Sequence, residues 1–236
     1  MFLKKNFLRE IYSLVCAMRC SVLCLTGFFL LCSGLLFSQV KPLPGLVLSS
    51  VALSCDLTEQ GKAWYQPGVA TGISIVSGGE RKIHVQGLFL LGKAYSDYPK
   101  ASFAEPYPQE INHFVQTSFF LLEAGPVYQT NLNPHFFLSL GVSAGILFFT
   151  PKNAENQSLA DLTYTRFPDE SFSRQTFVFT PNAGVGYRIS PAISLNLCYA
   201  LHLTGTDYLD NIGKAGIKAG KDKIQEFRLG LVFNPW

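Results

Sequence analysis

Charge is scarce in this chain. Charged residues make up 15% of its 236 positions, against about 25% in an ordinary soluble domain, so there is too little polar material to cover a water-facing surface in the usual way. Past residue 39 the sequence has no continuous apolar helical span, no internal repeat and no low-complexity tract, which excludes a helical bundle in the membrane and a solenoid. Cysteine is nearly absent from the same region. Four of the six (Cys16, Cys20, Cys24, Cys32) lie in the first 32 residues, and Cys55 and Cys198 are far apart with no Cys-x-x-Cys spacing, so a disulfide scaffold is not expected. The glycine-rich stretches SGGE and GKAGIKAGK lack a Gly-Lys-Ser/Thr ending in a strand-to-helix setting, and the phosphate-loop chemistry that needs it is excluded.

The net positive charge sits at the start. Lys4, Lys5, Arg9 and Arg19 precede an uncharged run, SVLCLTGFFLLCSGLLFS, that ends at Ser38 before Gln39 and the turn-rich VKPLPG. This pattern reads as a cleaved signal peptide over residues 1–39, with Met18 the expected true start because a signal beginning there has the usual length. Neither Cys24, after Ser21-Val22-Leu23, nor Cys32, after Phe29-Leu30-Leu31, follows the small residue that lipidation requires. Removing residues 1–39 takes away four basic groups and one acid, leaving 15 of each. The excess positive charge belongs to the signal, so nucleic acid is not an expected partner.

Aromatic residues, at 14%, are abundant and patterned. In Ala192–Asn211, AISLNLCYALHLTGTDYLDN, the residues Ile193, Leu195, Leu197, Tyr199, Leu201 and Leu203 alternate with Ser194, Asn196, Cys198, Ala200, His202 and Thr204. That is a strand with two unlike faces, and at about twelve residues it is twice the usual strand length. Phe136 to Phe148, Phe177 to Ile189 and Phe227 to Phe233 alternate in the same way, an aromatic-rich apolar face opposite glycine, serine and a few charges. A sandwich would turn lysine and glutamate to water on its polar faces. A small-sided polar face instead fits a narrow barrel lumen, with the apolar face toward lipid.

Weaker strands complete the set. AWYQPGVATGISIV sets Tyr65, Val69, Ile73 and Ile75 outward, KIHVQGLFLLGK does so with Ile83, Val85, Phe89 and Leu91, and Leu46–Ser54 supplies the first strand. FVQTSFFLLEAGPVY is apolar on both parities, and the cost of a carboxylate in lipid places Glu123 and the other odd positions inward. The expected fold is all-β: an eight-stranded antiparallel up-and-down transmembrane barrel of the OmpA type over residues 40–236. Connection lengths agree. VSGGE, QTNLNP and ISPA are tight turns, while residues 56–62, 94–112, 150–175 and 205–222 form the alternating, mostly longer set. A small outer-membrane barrel has short periplasmic turns, longer outer loops and both termini in the periplasm. Phe148, Phe149 and Tyr187 near strand ends are candidates for an interfacial aromatic girdle.

A lumen of eight strands is filled by side chains, so Glu123, Arg188, Glu226 and Arg228 are expected as lumenal charges, either salt-bridged in a dry interior or lining a gated polar path. His84, His113, His135 and His202 are scattered, and HFVQTS brings a serine near His113 without a third group. Catalytic triads need converging geometry, so no catalytic residue, cofactor or metal site is expected. In TDYLDN, Asp207, Tyr208, Leu209 and Asp210 leave the bilayer into the last outer loop. There the carboxylates either contact a cation or partner, or cap the strand end and tie down the loop. The terminal EFRLGLVFNPW, with Phe227, Leu229, Leu231 and Phe233 on the lipid parity, resembles the strand read by the barrel-assembly machinery, and Trp236 is expected at the periplasmic interface.

The residues also resemble a family. NPHFFLSLGVSAGILFFTPKNAEN, PNAGVGYRISPAISLNLCYALHLTGTDYLDN and the FSQ ending of the signal resemble segments of small outer-membrane barrels of the Bacteroidota, nearest to the PorG-like barrels associated with type IX secretion. The likeness covers roughly residues 130–236. It departs where Asn211 stands for a second aspartate, where Phe148-Phe149-Thr150 stands for Phe-Asn, and where His135 stands for a tyrosine. The resemblance implies a non-enzymatic outer-membrane subunit whose partners are outer-membrane lipid, the barrel-assembly machinery and periplasmic secretion-ring proteins. The reading held beside it is a channel for small solutes or hydrophobic ligands.

Overall fold

A computed structural model describes residues 42–56, 58, 62–77, 82–97, 114–159, 172–212 and 221–234. The signal segment, Met18, His113 and Trp236 lie outside these residues.

Alternation of residue type produces the architecture directly. Eight strands form, β1 (Pro42–Ser54), β2 (Gly68–Ser77), β3 (Ile83–Asp97), β4 (Phe114–Asn131), β5 (Phe136–Lys152), β6 (Gln175–Ser190), β7 (Ile193–Thr204) and β8 (Lys223–Phe233). Each pairs antiparallel with its sequence neighbours, and β1 pairs with β8 to close the barrel. Closure leaves no edge, so the backbone groups that lipid cannot satisfy find partners within the wall.

The two faces separate as the residue types require. Leu46, Leu48, Ile73, Leu140, Phe179, Leu197 and Leu229 are exposed on the outside, while Ser49, Ser74, Ser139, Thr180 and His202 are buried on the inside. Glu123 is 7% exposed and faces inward with the odd positions of β4, which settles the strand whose parities were equally apolar. On the outer wall Phe120 stacks on Phe148 with centroids 5.6 Å apart, and Phe136 meets Tyr187 at 4.9 Å. Phe149, a girdle candidate by sequence, instead points inward at 2% exposure, because it stands on the opposite parity from Phe148.

The strands are longer than their apolar segments. β3 runs on to Asp97, β5 to Lys152 and β4 to Asn131, since ladder bonds continue beyond the apolar belt wherever a partner strand is present. One segment departs from expectation. Ala63–Tyr65 forms a short 3-10 turn rather than the start of β2, and its Trp64 lies against outward-facing Phe227 at 5.1 Å, with Nε1 donating to Gln225 Oε1 at 3.0 Å. The sequence Gln66-Pro67-Gly68 breaks the alternation there.

The short turns gather at one end. Asn133 Oδ1 accepts from the backbone N–H of His135 (2.9 Å) and Phe136 (2.8 Å), closing the β4–β5 turn. Asn234 N donates to Ala192 O at 2.8 Å, tying the end of β8 to the β6–β7 turn.

Candidate functional site: a filled lumen

The inside of the barrel has three layers along its axis, each set by which inward residues the register brings to one height. In the middle layer, antiparallel pairing sets Ser49 opposite Arg228, Cys198 opposite Arg228, and Ala200 opposite Glu226. Glu226 sits at the centre. Its Oε1 accepts from Ser49 Oγ (2.5 Å) and Arg228 Nε (3.0 Å), and its Oε2 accepts from Arg228 Nη2 (2.6 Å) and His202 Nε2 (3.0 Å). His202 Nδ1 is bonded to Thr180 Oγ1 at 2.9 Å and lies 3.6 Å from Glu123 Oε2, while Arg228 Nη2 is 3.8 Å from Glu123 Oε1. Glu226 is 0% exposed, His202 2% and Arg228 4%. Two carboxylates face one guanidinium and one imidazole, and the charges cancel when the imidazole carries its proton. Such a cluster is stable only because almost every polar atom in it has a partner; Glu123 Oε2 alone has no hydrogen bond.

Three of the four lumenal charges expected from sequence therefore meet, and Arg188 does not join them. It lies at the turn end of β6, where Nη1 donates to Pro134 O (3.2 Å), Nη2 donates to Asn131 Oδ1 (2.7 Å), and the guanidinium stands 5.1 Å over the Phe137 ring. Distance along β6 explains this. Eight residues separate Arg188 from Thr180, which puts it about 26 Å away at strand rise. Ser49, Thr180 and His202 are the cluster members not singled out by sequence. His202 stands on the polar parity of β7, which was the available signal, but its partners come from β4, β6 and β8.

On the turn side of this cluster lies a polar cavity of about 20 Å³, lined by Gln86, Gln129, Ser139, Asn182, Asn196 and Arg228 among others. That is space for about one water. Cys198 also borders it, and neither Cys198 nor Cys55 is in a disulfide.

On the loop side the lumen is closed by an apolar cap. Leu53, Leu90, Val115, Phe119, Leu147 and Phe149 on the wall pack with Leu159, Leu209 and Ile212 from the loops. TDYLDN lies beside this packing. Leu209 is 0% exposed and Asp210 2%, so these two residues fold into the barrel mouth. Asp207 and Tyr208 are half-buried, and the Tyr208 ring meets Phe172 edge-on at 5.8 Å. The physical reason is that Leu209 and Ile212 bury their side chains once β7 ends at Thr204. Thr117 Oγ1 donates to Leu209 O, Leu209 N donates to Asp222 Oδ2 (2.7 Å), and Thr204 Oγ1 donates to Asp222 O (2.6 Å). Asp210 Oδ1 accepts from Ile212 N at 2.9 Å. Among the described residues no group of three or more His, Cys, Asp and Glu is placed to hold a metal ion.

Burial pushes the Asp222 carboxyl well above the usual carboxylate range, and Asp210, Asp207 and Asp56 push it further in the same direction, against the Leu209 N–H that favours its charged form. Burial, together with Asp210 and Asp222, likewise raises the Cys55 thiol. An acid raised on folding binds more protons folded than unfolded, so its contribution is complete at low pH and declines as pH rises through the raised value. The cap is therefore expected to loosen as pH rises above the ordinary carboxylate range. Limited proteolysis of the last loop across pH, in wild type and Asp222→Asn, checks this: cleavage rises with pH in the wild type and loses that dependence in the variant.

A closed all-antiparallel barrel of eight strands, apolar outside and filled inside, defines a transmembrane β-barrel. Neither a protein-family model nor a curated protein matches the chain. Among solved structures it is similar to Neisserial surface protein A, with TM-score 0.52 and 13% identity over 83% of this chain and 99% of that one. It also aligns with Ail, the attachment invasion locus protein of Yersinia pestis, at TM-score 0.47 and 13% identity over 82% of this chain and 97% of that one. The outer membrane enzyme PagL aligns at TM-score 0.37 and 13% identity over 80% of this chain and 99% of that one. At such identity the first likeness carries the fold alone.

Proposed function

We propose that this chain is an outer-membrane barrel, with turns and termini periplasmic, that works as a non-enzymatic, membrane-embedded structural subunit associated with type IX secretion. The observation that carries the structural reading is the filled lumen. An ion-paired centre lies under an apolar cap, with a cavity of about 20 Å³ on its turn side, and this supports a barrel that offers its surface and its anchorage. The secretion role draws its support from the PorG-like residues of the second half, and periplasmic ring proteins are the partners it names.

Thr180, His202 and Glu226 make a hydroxyl, imidazole and carboxylate series of the kind used in acyl transfer. The non-enzymatic reading is favoured because Thr180 and Glu226 are 0% exposed, and because Glu226 is held by Arg228 and Ser49 as the centre of an ion pair. His84 and His135 bond to the backbone carbonyls of Ser77 and Arg188.

Affinity purification of the detergent-extracted protein, combined with planar-bilayer recording, tests the proposal. The expected result is co-enrichment of periplasmic ring proteins and no unitary conductance. Steady conductance steps without such partners would replace it with the solute-channel reading.

A further inference from the structure

The outer wall carries charge on one half only. On the outward parity of the eight strands, the charged residues among those described are Lys93, Asp97, Lys152 and Lys223, and all of them stand at the loop end. Turn-end positions of the same parity, such as Ile75, Ile83, Phe136 and Ile189, are exposed and apolar. None of the three lysines makes an ion pair among the described residues. A lysine on the wall of a membrane barrel carries its ammonium to the head-group level, so the two ends of this barrel meet their leaflets with different chemistry.

At Lys223 the charge stands above a shaped surface. Lys223 is exposed and pairs with Leu203 of β7 and Ser54 of β1. Two residues on, Gln225 Oε1 accepts from Trp64 Nε1 (3.0 Å) and from Tyr199 Oη (3.2 Å). Those donors occupy the carbonyl side of the amide and leave Nε2 as a donor with no protein partner among the described residues. One step further down, the Phe227 ring lies 5.1 Å from both Trp64 and Tyr199. Ala52, beside Gln225 on the outward parity of β1, is 0% exposed, as a wall residue is only where another segment lies over it. The Ala63–Tyr65 turn supplies that segment. From the mouth downward the wall thus offers an ammonium, an amide N–H group and a shelf of three aromatic rings.

We infer that this corner of the outer wall binds an anionic lipid of the loop-side leaflet, its phosphate held by Lys223 and the Gln225 amide, the upper part of its acyl chains lying on Trp64, Tyr199 and Phe227. A phosphate is the matching group because its several oxygens accept from an ammonium and an amide at once. No carboxylate of β8 opposes it on this face, since Glu226 alternates inward and is 0% exposed. Indole and phenol rings suit the depth where head group gives way to acyl chain. The inference rests on the membrane-barrel reading, and the test separates the two.

Trp236→Phe leaves Trp64 as the only tryptophan. The protein with that change is reconstituted in phosphatidylcholine vesicles containing a minor fraction of phosphatidylglycerol brominated high on its acyl chains, or the same fraction of phosphatidylcholine brominated likewise. Quenching of Trp64 fluorescence is then compared. The brominated phosphatidylglycerol is expected to be preferred about fivefold, the effect of one lysine beside an anionic lipid. Lys223→Gln should remove that preference, and Lys93→Gln, on the same parity but three strands away, should keep it. Heat-modifiable gel migration verifies that each variant is folded. Equal quenching by the two lipids, a preference that survives in a folded Lys223→Gln, or one lost to the same extent in Lys93→Gln overturns the lipid site alone. Absence of quenching by either lipid overturns the membrane barrel with it.

Discussion

Replacing Glu226 by alanine is expected to destabilise the barrel by about 3–5 kcal/mol, the cost of breaking a buried ion pair by removing one partner. Glu226 accepts four hydrogen bonds, from Ser49, His202 and twice from Arg228. Its loss leaves a guanidinium that is 4% exposed with Glu123 as its remaining anionic partner, 3.8 Å away. The measurement is the temperature at which the compact, fast-migrating form on an unheated gel is lost, which should drop well below that of the wild type. Arg228→Ala should cost a comparable amount, because it strands two carboxylates. The double variant should cost much less than the sum of the two, since each single change already destroys the shared interaction. Strict additivity would show that the cluster does not act as a unit.

Leu140→Arg is the second large effect. Leu140 is 60% exposed on the outer wall of β5, within the apolar belt between Phe136 and Phe148. Arginine near the bilayer midplane of a barrel costs about 2–4 kcal/mol, falling to 0–1 near the interfaces. Leu132 provides the control. It is equally exposed at 60% but stands in the β4–β5 turn, so Leu132→Arg should change little. Equilibrium denaturation of the protein in phospholipid vesicles measures both. Equal costs at the two sites would mean that Leu140 does not face lipid.

The contrast between those sites shows how much the sequence alone can say. Leu140 reads as lipid-facing because it shares its parity with Leu138 and Val142 against Ser139, Gly141 and Ser143, and a strand can only present alternate residues to opposite faces. Glu123 reads as inward for an electrostatic reason where apolarity was uninformative. The strand-end turns were legible too, since Asn133-Pro134 and Pro191-Ala192 are turn chemistry by composition.

Position along the barrel axis is another matter. Arg188 and Arg228 have the same sequence credentials, a charge among glycines on the polar face, and end in different layers. Which one joins Glu226 depends on register and closure, which set Cys198 beside Arg228 while leaving Arg188 at the turn-side rim. His202 likewise becomes a bridge only because the register of β6 with β7 sets it across from Thr180, a feature that needs both strands in place to be seen. TDYLDN shows the same limit in a loop. Its acidic residues suggest the outside of the membrane, yet Leu209 draws the segment into the mouth. Loop direction depends on whether an apolar recess is present to receive it.

The sequence by itself determined the eight strands, their inward and outward faces and the alternation of short and long connections, because these follow from the two-residue period of a strand and from the local chemistry of turns. The tertiary structure decided which inward residues share a height and that the lumen is capped. Those depend on contacts between residues more than a hundred positions apart, such as Ser49 and Glu226, and no local pattern encodes them.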